Sequence, residues 1–135
     1  MTAIDTNVLI YACDNADTGK QRRALHVIED TNDGVLLWQV ACEFGSASRK
    51  LAKQGFTPLD SWARLAEFRE VFPLILPSAG VLAAAAELQI KRKVSYWDAL
   101  IIAACLDSGA DRLLTEDIPS SMGFGPLSIV NPFER

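Results

Sequence analysis

Short apolar segments alternate with helix-patterned stretches along the chain, and this alternation limits its possible folds more than any other feature. The apolar segments are too short for helices, so we interpret them as strands. They cover residues 1–5, 35–38, 74–76, 112–115 and 127–130. Strands that alternate with helices pair in parallel and carry helices on both faces. The sequence therefore predicts an α/β fold, with any ligand crevice beyond the carboxyl ends of the strands.

Helical spacing of apolar residues fills the intervening stretches. Predicted helices cover residues 8–12, 20–30, 40–51, 78–91 and 96–106. A further helix begins at Pro58, because proline is tolerated in the first helical turn, and presents Trp62, Leu65 and Phe68 as its buried stripe. No linker or repeat interrupts the pattern, so residues 1–135 are predicted to form a single domain.

The charge balance gives a first indication of partners. The 135 residues include 13 Lys and Arg against 17 Asp and Glu, a formal net charge of −4. A small acidic protein is a poor first candidate for nucleic-acid binding, since neutralising phosphates needs clustered Lys and Arg. Net charge taken alone therefore argues against a nucleic-acid partner.

The sequence indicates no membrane span, zinc site or disulfide framework. No apolar run approaches the ~18–20 residues needed to cross a bilayer, and the first apolar stretch has no basic region before it. Cys13, Cys42 and Cys105 are far apart and His26 is the one histidine, so no zinc-ligand spacing exists. We expect buried thiols in a soluble, cytoplasmic protein with no membrane partner.

Four acidic residues stand in apolar surroundings, unlike the other acids of the chain. Asp5 and Asp117 follow predicted strands, while Glu43 and Asp98 lie in predicted helices among apolar neighbours. Buried carboxylates lose hydration, and crowding them raises each other's pKa. A divalent cation offsets both costs, and oxygen-only ligands suit Mg²⁺ or Mn²⁺. A doubly wound sheet would bring all four to one rim, which predicts a metal site.

Each acid also has a purely structural interpretation. Asp5 fits an Asx turn, and Asp98 stands three residues after Ser95, as in a capping box with Asp in place of the usual Glu. Glu43 fits a solvated helix boundary, and Asp117 fits a turn before a proline. Taken singly these signals are weak, so the metal-site interpretation depends on their joint placement.

These same residues resemble the motifs of the PIN-domain family. The resemblance covers essentially the whole chain and is carried by four segments. They are Ile4-Asp5-Thr6-Asn7-Val8-Leu9-Ile10, Glu43 on the helix after the second strand, Trp97-Asp98-Ala99-Leu100-Ile101, and Leu114-Thr115-x-Asp117. It implies a three-layer α/β sandwich, with a short, mostly parallel central sheet of about five strands flanked by helices.

The resemblance also implies an activity and a set of site residues. Family members of this kind are metal-dependent endoribonucleases, so Asp5, Glu43, Asp98 and Asp117 would be catalytic. Asp5, Asp98 and Asp117 would bind Mg²⁺ or Mn²⁺, with Thr6 and Thr115 as neighbouring polar groups. Ile118 and Pro119 follow where many members carry another acid and an aromatic residue. Glu116 therefore competes with Asp117 for the fourth acidic position.

At this length the chain looks most like the toxin of a VapBC-type toxin–antitoxin pair. That resemblance implies an RNA substrate, a cognate antitoxin protein that covers the site, and a homodimer. Among the basic clusters, Lys91, Arg92 and Lys93 lie just before Asp98 in sequence and are candidates for RNA binding. The alternative for these three is an ordinary solvated helix end.

Two other classes of function stay open on sequence grounds. An aspartate-based phosphatase or a phospho-receiver domain is also an acidic α/β protein with an Asp at a strand end. The phosphatase pattern requires a second Asp where Asn7 stands, and the receiver pattern requires a later lysine than Lys93. The third possibility is a catalytically silent PIN-like domain that binds protein through exposed aromatics such as Trp62 and Phe68.

Overall fold

Five parallel strands form the central sheet of the computed structural model, which describes residues 1–134. They are β1 (Thr2–Ile4), β2 (Gly34–Leu37), β3 (Leu74–Ile75), β4 (Arg112–Leu114) and β5 (Ser128–Val130). Their order across the sheet is β3-β2-β1-β4-β5, and each pairing is parallel. The sheet is thus wholly parallel, where a mostly parallel one was predicted.

Six α-helices connect or flank these strands. They are α1 (Thr6–Cys13), α2 (Thr18–Asp30), α3 (Trp38–Ala47), α4 (Pro58–Val71), α5 (Gly80–Arg92) and α6 (Tyr96–Ser108). Side-chain caps begin several of them, such as the Thr57–Asp60 capping box of α4. Gly109 ends α6 with φ at 81°, a left-handed conformation that favours glycine. None of the helices in residues 1–134 combines the length and apolarity that a membrane crossing requires.

The core lies on both sides of β1 and β2. Both strands are buried along their whole length, as expected where helices cover both faces of a parallel sheet. Phe44 and Phe72 are among the largest fully buried side chains. The predicted α/β sandwich is therefore confirmed, and its middle strands are held where their carboxyl ends can carry a site.

Several local predictions were wrong. Trp38 begins α3 instead of ending β2, because the last β2–β3 pair joins Leu37 to Ile75. The single helix predicted over residues 40–51 is α3 followed by a 3₁₀ helix, Ser48–Gln54. The helix divides in this way because the backbone tightens into 3₁₀ turns at Ser48, whose side chain is fully buried.

Two side chains predicted to be buried are exposed. Cys42 is exposed because α3 turns Val40 and Phe44 toward the core. Trp62 is 70% exposed because α4 buries Ser61, Leu65 and Phe68 instead. Cys13 and Cys105 are buried thiols as expected, and Phe68 belongs to the core.

Candidate active site

Four carboxylates from four elements line one cavity at the carboxyl edge of the sheet. Asp5 directly follows β1, Glu43 lies on α3, Asp98 lies in the first turn of α6, and Asp117 follows β4. β1 and β4 are neighbours, with Ile4 paired to Leu114, so the residues that follow them emerge side by side. The cavity has a volume of about 620 Å³ and is lined by all four acids. The predicted convergence of these residues is therefore present in the fold.

Asp5 is the most buried of the four acids, at 3% exposure. The Thr6 backbone N–H donates to its Oδ1 at 2.7 Å, and the Thr115 hydroxyl donates to its Oδ2 at 2.8 Å. Burial raises the pKa of Asp5 to about 6, and the negative charges of Glu43 and Asp117 add to this increase. The two hydrogen bonds oppose the increase without cancelling it. Asp5 therefore carries a carboxylate that is costly to ionise and fixed in orientation.

One carboxylate oxygen of Glu43 is hydrogen-bonded and the other is not, which indicates the kind of ligand that the cavity fits. Thr6 Oγ1 donates to Glu43 Oε2 at 3.0 Å, whereas Glu43 Oε1 is buried with no hydrogen-bond partner in residues 1–134. Burial raises the pKa of Glu43, and the charges of Asp98 and Asp117 raise it further. An unpartnered buried acceptor is costly. Its oxygen chemistry, beside three more carboxylates, fits a hard divalent cation such as Mg²⁺ or Mn²⁺.

The acids line the cavity without forming a closed cage. In residues 1–134, no group of three or more His, Cys, Asp and Glu side chains is gathered closely enough to hold a metal ion. The carboxylates are thus arranged around a common cavity, and the donor chemistry is what matches a cation.

Asp98 takes part in the cap of α6 and also lines the cavity. Its backbone N–H donates to Ser95 Oγ at 3.2 Å, so Ser95 caps α6. Its side chain lines the cavity, where burial raises its pKa and the charge of Asp117 raises it further. The cap explains how α6 begins, and it leaves the carboxylate available to the cavity.

Glu116 and Asp117 face different surroundings. Glu116 accepts from Lys20 Nζ at 2.6 Å, and Lys20 also contacts the Tyr11 hydroxyl. This hydrogen bond to Glu116 raises the pKa of Lys20. Both residues line a neighbouring cavity, but only Asp117 also lines the cavity of the other acids. The ion pair thus engages Glu116 and leaves Asp117 to complete the acidic set.

Asn7 connects the two strand ends and was missed by the sequence analysis as a site residue. Its Nδ2 donates to Asp117 Oδ2 at 3.0 Å and to Thr115 Oγ1 at 3.2 Å. Its Oδ1 accepts from the Glu116 backbone N–H at 3.2 Å. A neutral amide in a helix carries no charge anomaly, and its position two residues after Asp5 was the only available signal.

The basic cluster predicted to bind RNA lies outside this cavity. Lys91 pairs with Glu87 at 2.6 Å, and Arg92 stacks over Phe124 at 4.7 Å from the ring centroid. Lys93 ends α5 in a left-handed conformation. All three residues are exposed, and none lines the cavity.

Aromatic and aliphatic side chains complete the cavity wall. Trp38 begins α3 and Trp97 lies in the first turn of α6, so each shares its helix with one of the acids. The two indoles are 46% and 59% exposed. No Lys or Arg is found among the described residues that line the cavity. The site is therefore acidic at its base and largely apolar at its side.

Solved structures of similar fold include a toxin–antitoxin complex and two protein–DNA complexes. A toxin–antitoxin complex from Klebsiella pneumoniae aligns with a TM-score of 0.71 and 20% identity over 100% of both chains. VapBC2 from Rickettsia felis, bound to a promoter DNA fragment, aligns at 0.69 and 18% identity over 96% of this chain and 97% of that chain. FitAB bound to an IR36 DNA fragment aligns at 0.68 and 16% identity over 100% of this chain and 97% of that chain. At these identities the likeness concerns the fold.

Comparison of the sequence with protein families is more decisive. Among curated proteins none matches the chain. The family model described as the PIN domain, however, matches residues 2–118, a span that includes all four acids. Since that match covers most of the chain, the chain belongs to the PIN-domain family.

Proposed function

We propose that this protein is a metal-dependent endoribonuclease that acts as the toxin of a toxin–antitoxin pair. The observation that carries the proposal is the convergence of Asp5, Glu43, Asp98 and Asp117 on one cavity. Membership of the PIN-domain family supports it and favours hydrolysis over the aspartate-based phosphatase and phospho-receiver alternatives. Four intact acids also speak against the catalytically silent alternative.

Asp5, Asp98 and Asp117 would hold Mg²⁺ or Mn²⁺, with Glu43 completing the set. When bound, such a cation lowers the pKa of water and polarises a phosphoryl oxygen, which is the chemistry needed to hydrolyse a phosphodiester. We assign Asp117, and not Glu116, as the fourth acid, because Lys20 already pairs with Glu116 at 2.6 Å. This chain has one histidine, His26, and it lies on the exposed surface of α2. The four acids are thus our candidates for the catalytic groups.

Neighbouring polar groups orient these carboxylates. Thr115 and the Thr6 N–H hold the two oxygens of Asp5, so that side chain cannot rotate freely. Asn7 Nδ2 donates to Asp117 Oδ2 and so orients that carboxylate. The Thr6 hydroxyl engages one oxygen of Glu43 and leaves the other for a ligand. These contacts preorganise the acids before any substrate arrives.

The toxin assignment is supported by the neighbours of similar fold. Two of them are named as toxin–antitoxin or VapBC complexes, and each aligns with nearly the whole of this chain. We propose that this chain likewise binds a cognate antitoxin and forms a homodimer, and that it acts in the cytoplasm. Light scattering of the purified chain would test the dimer, and identifying a small protein that copurifies with it would test the antitoxin.

Cleavage of RNA tests the nuclease assignment directly. We expect the purified chain to cleave a circular RNA in Mg²⁺ or Mn²⁺, and we expect EDTA or Asp5→Asn to abolish cleavage. Asp30→Asn is the matched control, because it removes an exposed carboxylate of α2 that does not line the cavity. Full activity in EDTA, or in folded Asp5→Asn protein, would overturn the proposal.

Expression in cells tests the toxin assignment separately. The wild-type chain should arrest growth, whereas the Asp5→Asn variant at equal abundance should not. Sequencing the new RNA ends after arrest would identify the target. Unchanged growth alongside demonstrable cleavage in vitro would retain the nuclease and reject the toxin.

A further inference from the structure

The wall of the acidic cavity contains two exposed tryptophans that the proposed hydrolysis does not use. Trp38 and Trp97 are 46% and 59% exposed, and both line the cavity that holds the four acids. Apolar surface that is exposed contiguously, as where two indoles line one cavity, is a mark of a binding site. They come from the first turns of α3 and α6, the helices that also carry Glu43 and Asp98. Each indole is therefore fixed relative to a carboxylate by the same helix.

The charges that line the cavity limit which part of an RNA the two indoles can contact. No Lys or Arg is present among the described residues that line it, so its side wall offers no partner to a phosphate. A nucleobase is neutral and has a π-face that stacks on an aromatic side chain. The cavity of about 620 Å³ also lies within the range of small-ligand sites, roughly 300–1,000 Å³. The apolar side of the cavity thus fits a nucleobase better than it fits the sugar–phosphate backbone of RNA.

We propose that Trp38 and Trp97 form a base-binding subsite, in which an unpaired nucleotide next to the scissile phosphate stacks on an indole. The inference rests on the proposed ribonuclease function and adds the residues that would hold a base of the RNA. A base can reach the indoles only when it is unstacked and splayed outward, which a paired duplex does not permit. The subsite therefore selects for loops and single strands before any chemistry occurs.

Binding measured without cleavage tests this proposal. In an Asp5→Asn background, which prevents turnover, we would titrate a short unpaired RNA and the same RNA annealed to its complement. Trp38→Ala and Trp97→Ala should each weaken binding of the unpaired RNA by about 5- to 100-fold, the range for loss of one base–aromatic stack. Trp38→Phe and Trp97→Phe should retain most of the affinity. The duplex should bind weakly to every variant.

Trp62 provides the matched control. It is 70% exposed and does not line the acidic cavity, although it lines an adjacent cavity on the α3–α4 side that Trp38 also lines. Trp62→Ala should leave RNA binding unchanged if the base stacks inside the acidic cavity. The chain has three tryptophans, and Trp62→Phe leaves Trp38 and Trp97 as its emitters. Unpaired RNA should quench their fluorescence in this variant even if an alanine substitution proves unstable.

The outcomes separate this inference from the proposed function. If the wild type cleaves RNA in a metal-dependent way but Trp38→Ala and Trp97→Ala bind RNA as tightly as their parent, the subsite is overturned and the nuclease assignment stands. Loss of a copurifying protein, with RNA binding unchanged, would overturn it in favour of a protein interface. Tryptophan-dependent binding of unpaired RNA without any cleavage would support the subsite and reject the nuclease.

Discussion

Asp5 combines two demands on a single residue. As the N-cap of α1 it accepts a hydrogen bond from Thr6, and as a cavity acid it sits at 3% exposure beside other carboxylates. The first role is satisfied by any short polar acceptor. The second requires a charge that the protein interior disfavours. The cost of that charge should be measurable as a dependence of stability on pH.

Asp5→Asn should stabilise the protein in EDTA at neutral pH. The folded-state pKa of Asp5 is about 6, above its ordinary 3.8, so folding favours the protonated form. The stabilisation from proton uptake is therefore present below about pH 4 and is lost as pH rises through about 6. Asparagine avoids this loss, and we expect a gain of about 1–3 kcal/mol in the free energy of unfolding near pH 7.

Denaturant unfolding at several pH values checks this prediction. The difference between Asp5→Asn and wild type should shrink toward zero near pH 4, where both side chains are neutral. A variant that is less stable than wild type at neutral pH would contradict the burial-driven pKa.

Asn7→Ala should weaken cation binding and RNA cleavage together. It removes the amide that holds Asp117 and Thr115, and loss of such orienting contacts typically costs about 10- to 100-fold in metal affinity or activity. Calorimetry with Mn²⁺ and a cleavage assay would measure the two effects. Asn32→Ala, at an exposed turn, is the control. Unchanged Mn²⁺ affinity in Asn7→Ala would show that Asn7 has a structural role only.

Residue types determined which site groups could be predicted from sequence. Asp98 stood out because a charged side chain occurred among Ile101, Ile102 and Cys105, an arrangement that demands a physical explanation. Asn7 offered no such contrast, because a neutral amide in a first helical turn is unremarkable in sequence. Trp62 was misplaced because helical spacing indicates a stripe but does not fix which of its edges faces the core. Cys42 was misplaced because the usual burial of free cysteines is a general tendency that does not depend on which face of α3 a residue occupies.

The sequence predicted the individual strands better than it predicted their order in the sheet. Apolar runs located all five strands because each strand consists mainly of apolar residues, and β1 and β2 are buried along their whole length, as strands covered on both faces are. The neighbouring positions of β1 and β4 follow from the crossover order, which is set by long-range packing that local patterns do not encode. Convergence of Asp5 and Asp117 was thus a hypothesis from sequence, and the β1–β4 pairing supplies its geometry.

The start of β2 tolerates no side chain at Gly34. A Cβ built there would collide with the ring of Phe72, which follows α4 and is 2% exposed. Gly34→Ala should therefore lower the free energy of unfolding by about 1–3 kcal/mol, the usual cost of overpacking a core. Thermal unfolding would measure it.

Gly45→Ala is the opposite case and serves as the control. It lies inside α3 with nothing within 4 Å of the added methyl group. Alanine is favoured over glycine in a helix interior by about 0.5–1 kcal/mol. A rise in melting temperature for Gly45→Ala beside a fall for Gly34→Ala would localise the constraint to the β2–Phe72 contact, and equal responses would contradict it.

The end of α5 is the candidate for salt-dependent RNA contact. Lys91→Glu with Lys93→Glu should weaken RNA binding and flatten the slope of affinity against salt concentration, because fewer counterions are released. This pair leaves the Arg92–Phe124 contact intact. Filter binding over a salt series would measure the slope. An unchanged slope would identify Lys91 and Lys93 as an ordinary solvated helix end.

At the scale of the whole molecule, net charge was a poor guide to partners. The value of −4 equals the number of acids gathered at one cavity, so the total says little about the rest of the surface. The net charge of a chain says nothing about where its charged residues lie, and a cation site depends on several acidic residues lying together. The excess of acids is thus better explained by a metal than by avoidance of nucleic acid.

Mn²⁺ or Mg²⁺ should stabilise the folded chain at neutral pH. A ligand that binds only the folded state adds about 2.7 kcal/mol to the free energy of unfolding at one hundred times its dissociation constant. We expect the melting temperature to rise with Mn²⁺ for the wild type and for Asp30→Asn, and to rise little for Asp5→Asn. Equal increases in all three proteins would place the cation elsewhere.

The strand order has a consequence for synthesis on the ribosome. Asp5 and Glu43 emerge early, but β4 and Asp117 are translated late, and Thr115, which holds Asp5, comes with them. A nascent chain that ends before β4 lacks the neighbour against which β1 aligns the cavity. The growing polypeptide therefore cannot assemble its acidic cavity until most of its length has been made. Until then, its own messenger RNA and the ribosomal RNA around it do not meet a complete site.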